Sequence, residues 1–100
     1  MKVDFKIKEL EDYYYNKPIG KLKFQPSVYS QYKKVIDFMK ASINFADLKT
    51  FTGLRIHTLK NDLKEKYSAK VNAQYRVVFS VVNDKIEIES ILIEDLTDYH

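Results

Sequence analysis

Over the first seven residues, apolar Val3, Phe5 and Ile7 alternate with Lys2, Asp4 and Lys6, the period of two that a half-buried strand requires. Over residues 8–15 the period changes, and Leu10, Tyr13 and Tyr14 fall on one side of a short helix. Asn16, Pro18 and Gly20 break it, because proline lacks a backbone donor and glycine tolerates positive φ. A lysine-rich loop runs to Pro26, and Ser27 carries the hydroxyl that suits a helix N-cap. From there Val28, Tyr29, Tyr32, Val35, Ile36, Met39 and Ile43 recur at helical spacing, with Gln31, Lys33, Lys34, Asp37 and Lys40 facing outward. This is the expected principal core helix. Asn44 can cap one more turn through Ala46, Asp47 and Leu48, closed by Thr52 and Gly53.

The remainder reads as sheet. Residues 54–59, 67–71, 75–82 and 86–93 are rich in the β-branched and aromatic side chains that suit a pleated surface. Asn72 with Ala73, and Asn83 with Asp84, stand where tight hairpins would turn, since Asn and Asp accept left-handed backbone angles. The last three of these strands should therefore form an antiparallel meander. The apolar alternation changes phase from Ile86 and Ile88 to Ile91 and Ile93, which predicts a bulge at Ser90. The expected class is α+β, in the order β-α-α-β-β-β-β.

At 100 residues the chain has material for one hydrophobic core, so a single domain over residues 1–100 is expected. Cysteine is absent, which excludes disulfides and thiolate metal sites. The apolar runs are too short for a membrane span and nothing reads as a signal peptide, so the expected location is the cytoplasm. The net charge of +3 conceals an asymmetry: residues 1–70 hold 15 Lys and Arg against 8 Asp and Glu, whereas residues 71–100 hold 2 against 6. The first part can thus face polyanions, and eight Tyr with six Phe supply flat surfaces on which bases could stack.

Three positions have candidate chemistry in their own right. Histidine is the side chain whose intrinsic proton affinity lies nearest neutrality, and the chain has two, His57 and His100. A lone histidine on a strand is more often a surface or structural group. Arg76 is less ordinary: it interrupts a strongly apolar strand, so its guanidinium must reach solvent, a partner charge or a ligand.

Three internal segments and the final tripeptide raise the weight of these residues. They are His57-Thr58-Leu59-Lys60-Asn61-Asp62-Leu63, Tyr67-Ser68-Ala69-Lys70-Val71-Asn72, Gln74-Tyr75-Arg76-Val77-Val78-Phe79, and Asp98-Tyr99-His100. In that order and at that spacing they resemble the HigB toxins, a branch of the RelE/ParE superfamily of type II toxin-antitoxin systems. The resemblance is closest over residues 53–79 and 97–100. It departs at Asn61 and Glu65, where the family carries glycine, and at Ala73, where glycine is frequent.

The resemblance implies a RelE-like fold, two N-terminal helices packed on a small, mainly antiparallel sheet. It implies ribosome-dependent cleavage of mRNA in the 30S A site, with no metal and no organic cofactor. The matching functional residues are His57, Lys60, Arg76, Asp98, Tyr99 and His100. The implied partners are the ribosome, mRNA and a HigA-like antitoxin with a helix-turn-helix domain, through which the complex would hold its own operator DNA. Metal-free RNA cleavage needs a base near the 2′-hydroxyl, an acid near the departing 5′-oxygen and cations around the phosphorane. The matched set contains each type, although it leaves the individual roles open. A ParE-like toxin that poisons gyrase without nuclease activity and a non-catalytic RNA-binding module are the alternatives.

Overall fold

The alternation at the start of the chain is realised as strand β1 (Lys2–Phe5), in a computed structural model that describes residues 1–16, 23–59, 66–86 and 88–98. The strand stops before Ile7, which is exposed and precedes helix α1 (Lys8–Tyr15) as its N-cap residue. Helix α1 buries Leu10, Tyr13 and Tyr14 as expected, and ends where Asn16 turns left-handed at φ 55°. The remaining breaker positions, Pro18 and Gly20, lie outside the described residues.

Helix α2 (Pro26–Ala41) starts earlier than the sequence suggested. Gln25 is the cap residue and makes no side-chain cap bond. Pro26 takes the first helical position, where its missing N–H forfeits no intrahelical bond, and Ser27 therefore lies inside the first turn instead of capping it. Val28, Tyr32, Val35, Ile36 and Met39 are buried. Ile43 does not join them: the helix ends at Ala41, Ser42 caps it, and Ile43 is 85% exposed. The Tyr32 hydroxyl donates to the Leu10 carbonyl at 2.9 Å and joins the two helices. Burial raises the Tyr32 pKa, so the hydroxyl remains a donor.

Asn44 caps α3 (Phe45–Leu48), accepting the Asp47 N–H at 2.8 Å, and Leu48 is fully buried. The strand expected over 54–59 shrinks to β2 (His57–Thr58). Leu54 closes a 3-10 turn (Thr52–Leu54) and Arg55 is left-handed at φ 45°, a backbone state that cannot continue a pleat. Strands β3 (Lys66–Lys70) and β4 (Tyr75–Asn83) follow. The Asn72 side chain accepts the N–H groups of Gln74 and Tyr75, each at 2.8 Å, and holds the turn between them.

The last strand differs most from expectation. Strand β5 (Glu89–Asp98) begins after Ile86 and Ile88, which are 74% and 58% exposed. The Asp84 carboxylate accepts both of their N–H groups at 2.9 Å and keeps them in the turn. The bulge is at Glu94, not Ser90: pairing jumps from Phe79 with Ile93 to Val78 with Asp95. The phase change in the sequence marked the start of the strand, and the true shift is the three-residue step from buried Ile93 to buried Leu96.

The five strands lie in the order β1-β5-β4-β3-β2, with β1 parallel to β5 and the other pairs antiparallel. The class is α+β, as expected, with α3 added to the two main helices. Ala69, Val77, Phe79, Ile91 and Ile93 are fully buried on the side that meets α1 and α2. Burial of one of these Val, Ile or Phe side chains contributes on the order of 1.5–3 kcal/mol, and slipping a strand by one residue would turn its whole set outward. This fixes the register, and with it the residues that reach the far side of the sheet.

Candidate functional site

Arg76 neighbours Val77 on β4, so alternation turns it away from the helices. It is nonetheless only 6% exposed. Its Nε donates to Ser68 Oγ at 3.0 Å, and its Nη2 donates to the Arg55 carbonyl. Arginine offers donors only, and a hydroxyl and a carbonyl are suitable acceptors for a guanidinium held away from water. Ser68 is two positions from Lys70, the direct partner of Arg76, a diagonal that a long side chain can reach.

His57 completes this corner. It is the cross-strand partner of Ser68, and directly paired residues project from the same face with Cβ atoms about 4.5–5.5 Å apart. His57 is exposed, while its partner Ser68, and Arg76 that donates to Ser68, are buried. Because Arg76 grips the carbonyl of Arg55, it also holds the segment that enters β2 two residues before His57. The structure thus brings two of the expected residues together, His57 and Arg76, through Ser68 and Arg55. Neither linker was among the expected site residues. Ser68 could have been found by extending the ladder back from the Asn72 turn; Arg55 could not, because its role depends on a left-handed backbone.

Asp98 lies elsewhere. It pairs with Tyr75, whose ring packs edge-on against Phe24 at 5.1 Å on the helix side, whereas Thr97 is the partner of Arg76. Asp98 therefore shares the side of Tyr75, and its carboxylate accepts from Gln74 Nε2 at 3.1 Å. Lys60, Tyr99 and His100, with the departures at Asn61 and Glu65, lie outside the described residues. Among the described residues no group of three or more His, Asp and Glu could hold a metal ion.

A second polar cluster occupies the bulge. The Glu94 side chain is 9% exposed and meets Lys66 Nζ at 3.0 Å and Lys6 Nζ at 3.5 Å. Burial alone would raise its pKa, but Lys66, Ser80 and Lys6 outweigh that cost and hold the carboxyl below its ordinary range. A carboxyl depressed on folding stabilises the protein above its unfolded pKa, and that contribution is lost as pH falls through the folded value. Glu94→Gln should therefore lower Tm at pH 7 and flatten the fall in Tm below about pH 4.3. Melting curves from pH 7 to 3 test this; parallel profiles for the two proteins would exclude a stabilising role for the ionised carboxylate.

Comparison with known proteins identifies the family. A model described as the RelE-like toxin of type II toxin-antitoxin system HigB matches residues 3–100. The chain belongs to the HigB-like toxins. Two solved structures share its fold at low identity. The YoeB/ParE toxin from Agrobacterium tumefaciens has 14% identity and a TM-score of 0.61, with both chains covered completely. The YoeB-YefM complex from Staphylococcus aureus has 19% identity and a TM-score of 0.60, covering 100% of this chain and 97% of the other. No curated protein sequence matches. The toxin contains, among its described residues, no helix long and apolar enough to cross a membrane.

Proposed function

We infer that the toxin is a metal-independent endoribonuclease that cuts mRNA in the ribosomal A site and so halts translation. The observation that carries this reading is the corner at His57: an exposed histidine paired with Ser68, the acceptor of a buried guanidinium that also anchors the segment leading to it. Family membership supports it. A purely protein-binding toxin has no need of an imidazole beside a fixed cation, which disfavours the ParE-like alternative.

In the proposed reaction a base removes the proton from a ribose 2′-hydroxyl, the 2′-oxygen attacks the adjacent phosphorus, and the bond to the 5′-oxygen breaks as an acid protonates it. His57 and His100 share these proton transfers. Arg76, being buried, acts from beneath as a fixed positive charge, while Lys60 contacts the scissile phosphate and offsets its growing charge. Tyr99 stacks on a base or hydrogen-bonds the phosphate. Asp98, held by Gln74, fixes the end of β5 from which the last two residues continue.

The proposed partners follow from the family and from a neighbour that is itself a complex, YoeB with YefM. A HigA-like antitoxin would neutralise the toxin, and its helix-turn-helix domain would carry the pair to operator DNA. Action on the ribosome sets the proposed location, the cytoplasm. Incubating purified toxin with programmed ribosomes and mapping the ends by primer extension tests the chemistry. The expected ends are a 2′,3′-cyclic phosphate and a 5′-hydroxyl, with no cutting of naked mRNA; a 5′-phosphate end would rule out the mechanism.

A further inference from the structure

Strand β1 ends the sheet: β5 pairs with one of its edges, and among the described residues no strand pairs with the other. The ladder decides which groups that open edge presents. The Lys6 N–H donates to the Ile93 carbonyl at 2.9 Å, and along a strand successive backbone groups point to opposite edges. Lys2, Asp4 and Lys6 therefore bond inward to β5, while Val3 and Phe5 direct their N–H and C=O groups outward. Among the described residues no backbone hydrogen bond beyond the ladder engages Val3 or Phe5. Both are only partly buried, on the helix side. Lys2 and Asp4 project to the far side, 3.9 Å apart, with side chains 77% and 52% exposed.

Lysine on an edge strand usually repels a second strand. Here it alternates with an acid, and the alternation is complementary to itself. When two copies of β1 meet antiparallel with Val3 opposite Val3, each Lys2 stands opposite the Asp4 of the other copy. The two Val3 residues then exchange both N–H···O bonds, which is what outward-pointing groups at that position allow. Centring the pair on Asp4 would oppose two carboxylates and would need backbone groups already bonded to β5. Centring it on Phe5 would require Lys6, whose Nζ is held by Glu94 at 3.5 Å.

We propose that the free toxin forms a symmetric dimer by antiparallel pairing of β1 with β1 of a second copy, in the register that sets Lys2 against Asp4. Two five-stranded sheets become one continuous sheet, and Val3 covers Val3 on the helix side. His57 is on β2, four inter-strand steps away, or about 19 Å at the usual strand spacing. The two His57 corners thus lie at the outer ends of the joined sheet and stay open. A strand pair this short, with two exposed ion pairs, is a small interface, so the dissociation constant is on the order of 10–100 µM.

Sedimentation velocity of the full-length toxin over a dilution series should show wild type passing from dimer to monomer. Asp4→Lys and Lys2→Asp should each weaken the dimer roughly tenfold or more, because like charges directly opposite repel and symmetry counts each pair twice. Mixed in equal amounts, the two variants should associate within about threefold of the wild-type affinity, a recovery that a folding defect could not produce. Amide exchange locates the contact: the Val3 N–H should exchange several-fold more slowly in concentrated than in dilute toxin, whereas the Asp4 N–H, bonded within the sheet, should not change. A toxin monomeric at every concentration, a dimer indifferent to both charge variants, or a Val3 amide exchanging at one rate throughout would overturn the proposal. Protection of Val3 only after the antitoxin is added would overturn it as well and give the edge to that partner.

Discussion

Arg76→Lys and Arg76→Met should both yield folded toxin that cleaves mRNA on ribosomes roughly 10²–10³-fold more slowly than wild type, the loss typical of removing one preorganised charged donor. Lysine retains the charge but not the planar fork, so its single nitrogen cannot serve Ser68 Oγ and the Arg55 carbonyl in the geometry that the guanidinium adopts. With Arg55 released, the entry to β2 loses its anchor and His57 its orientation. Methionine removes the charge as well and leaves the buried Ser68 hydroxyl and the part-buried Arg55 carbonyl without these donors. Hydrogen bonds to charged groups contribute about 1.5–3 kcal/mol, and a domain of this size loses roughly 4–8 °C of Tm per kcal/mol, so Arg76→Met should melt on the order of 10 °C lower. Single-turnover cleavage and thermal melting on the same preparations separate the two effects. Activity within about threefold of wild type in both variants would remove Arg76 from the mechanism and leave it a structural group.

Removing only Tyr99 and His100 should abolish growth arrest while shifting Tm by no more than a few degrees. Asp98 is retained in this truncation because its pairing with Tyr75 and its bond from Gln74 belong to the sheet. Placed acid-base groups contribute about 10²–10⁴-fold to proton transfer, so losing one of two imidazoles at the reaction should reduce ribosomal cleavage by that order. His100→Ala should account for most of the loss and Tyr99→Phe for less. A truncated toxin that still arrested growth would confine the chemistry to the His57 corner and eliminate the final residue as a participant.

The helical first half, the meander and the turn residues were apparent in the linear pattern, because period and turn chemistry are local. Tyr32, Val35, Ile36 and Met39 could be assigned to the core from spacing alone, and they are buried. The errors arose where a local rule met a competing neighbour. Ser27 is a good cap in isolation, but Pro26 claimed the first helical position before it. Ile86 and Ile88 suit a strand, but the Asp84 carboxylate captured their backbone.

What the sequence determined by itself was the class of fold, the family and which polar residues interrupt an apolar pattern, since each of these depends on residue type and spacing. Tertiary structure alone decided which of those residues meet. The bulge at Glu94 and the left-handed turn at Arg55 set which side of the sheet each side chain faces, so Arg76 reaches Ser68 and the backbone that leads to His57, while Asp98 turns toward Gln74. A pleat reverses direction at every residue, and a one-residue irregularity far along the chain is enough to exchange the two faces.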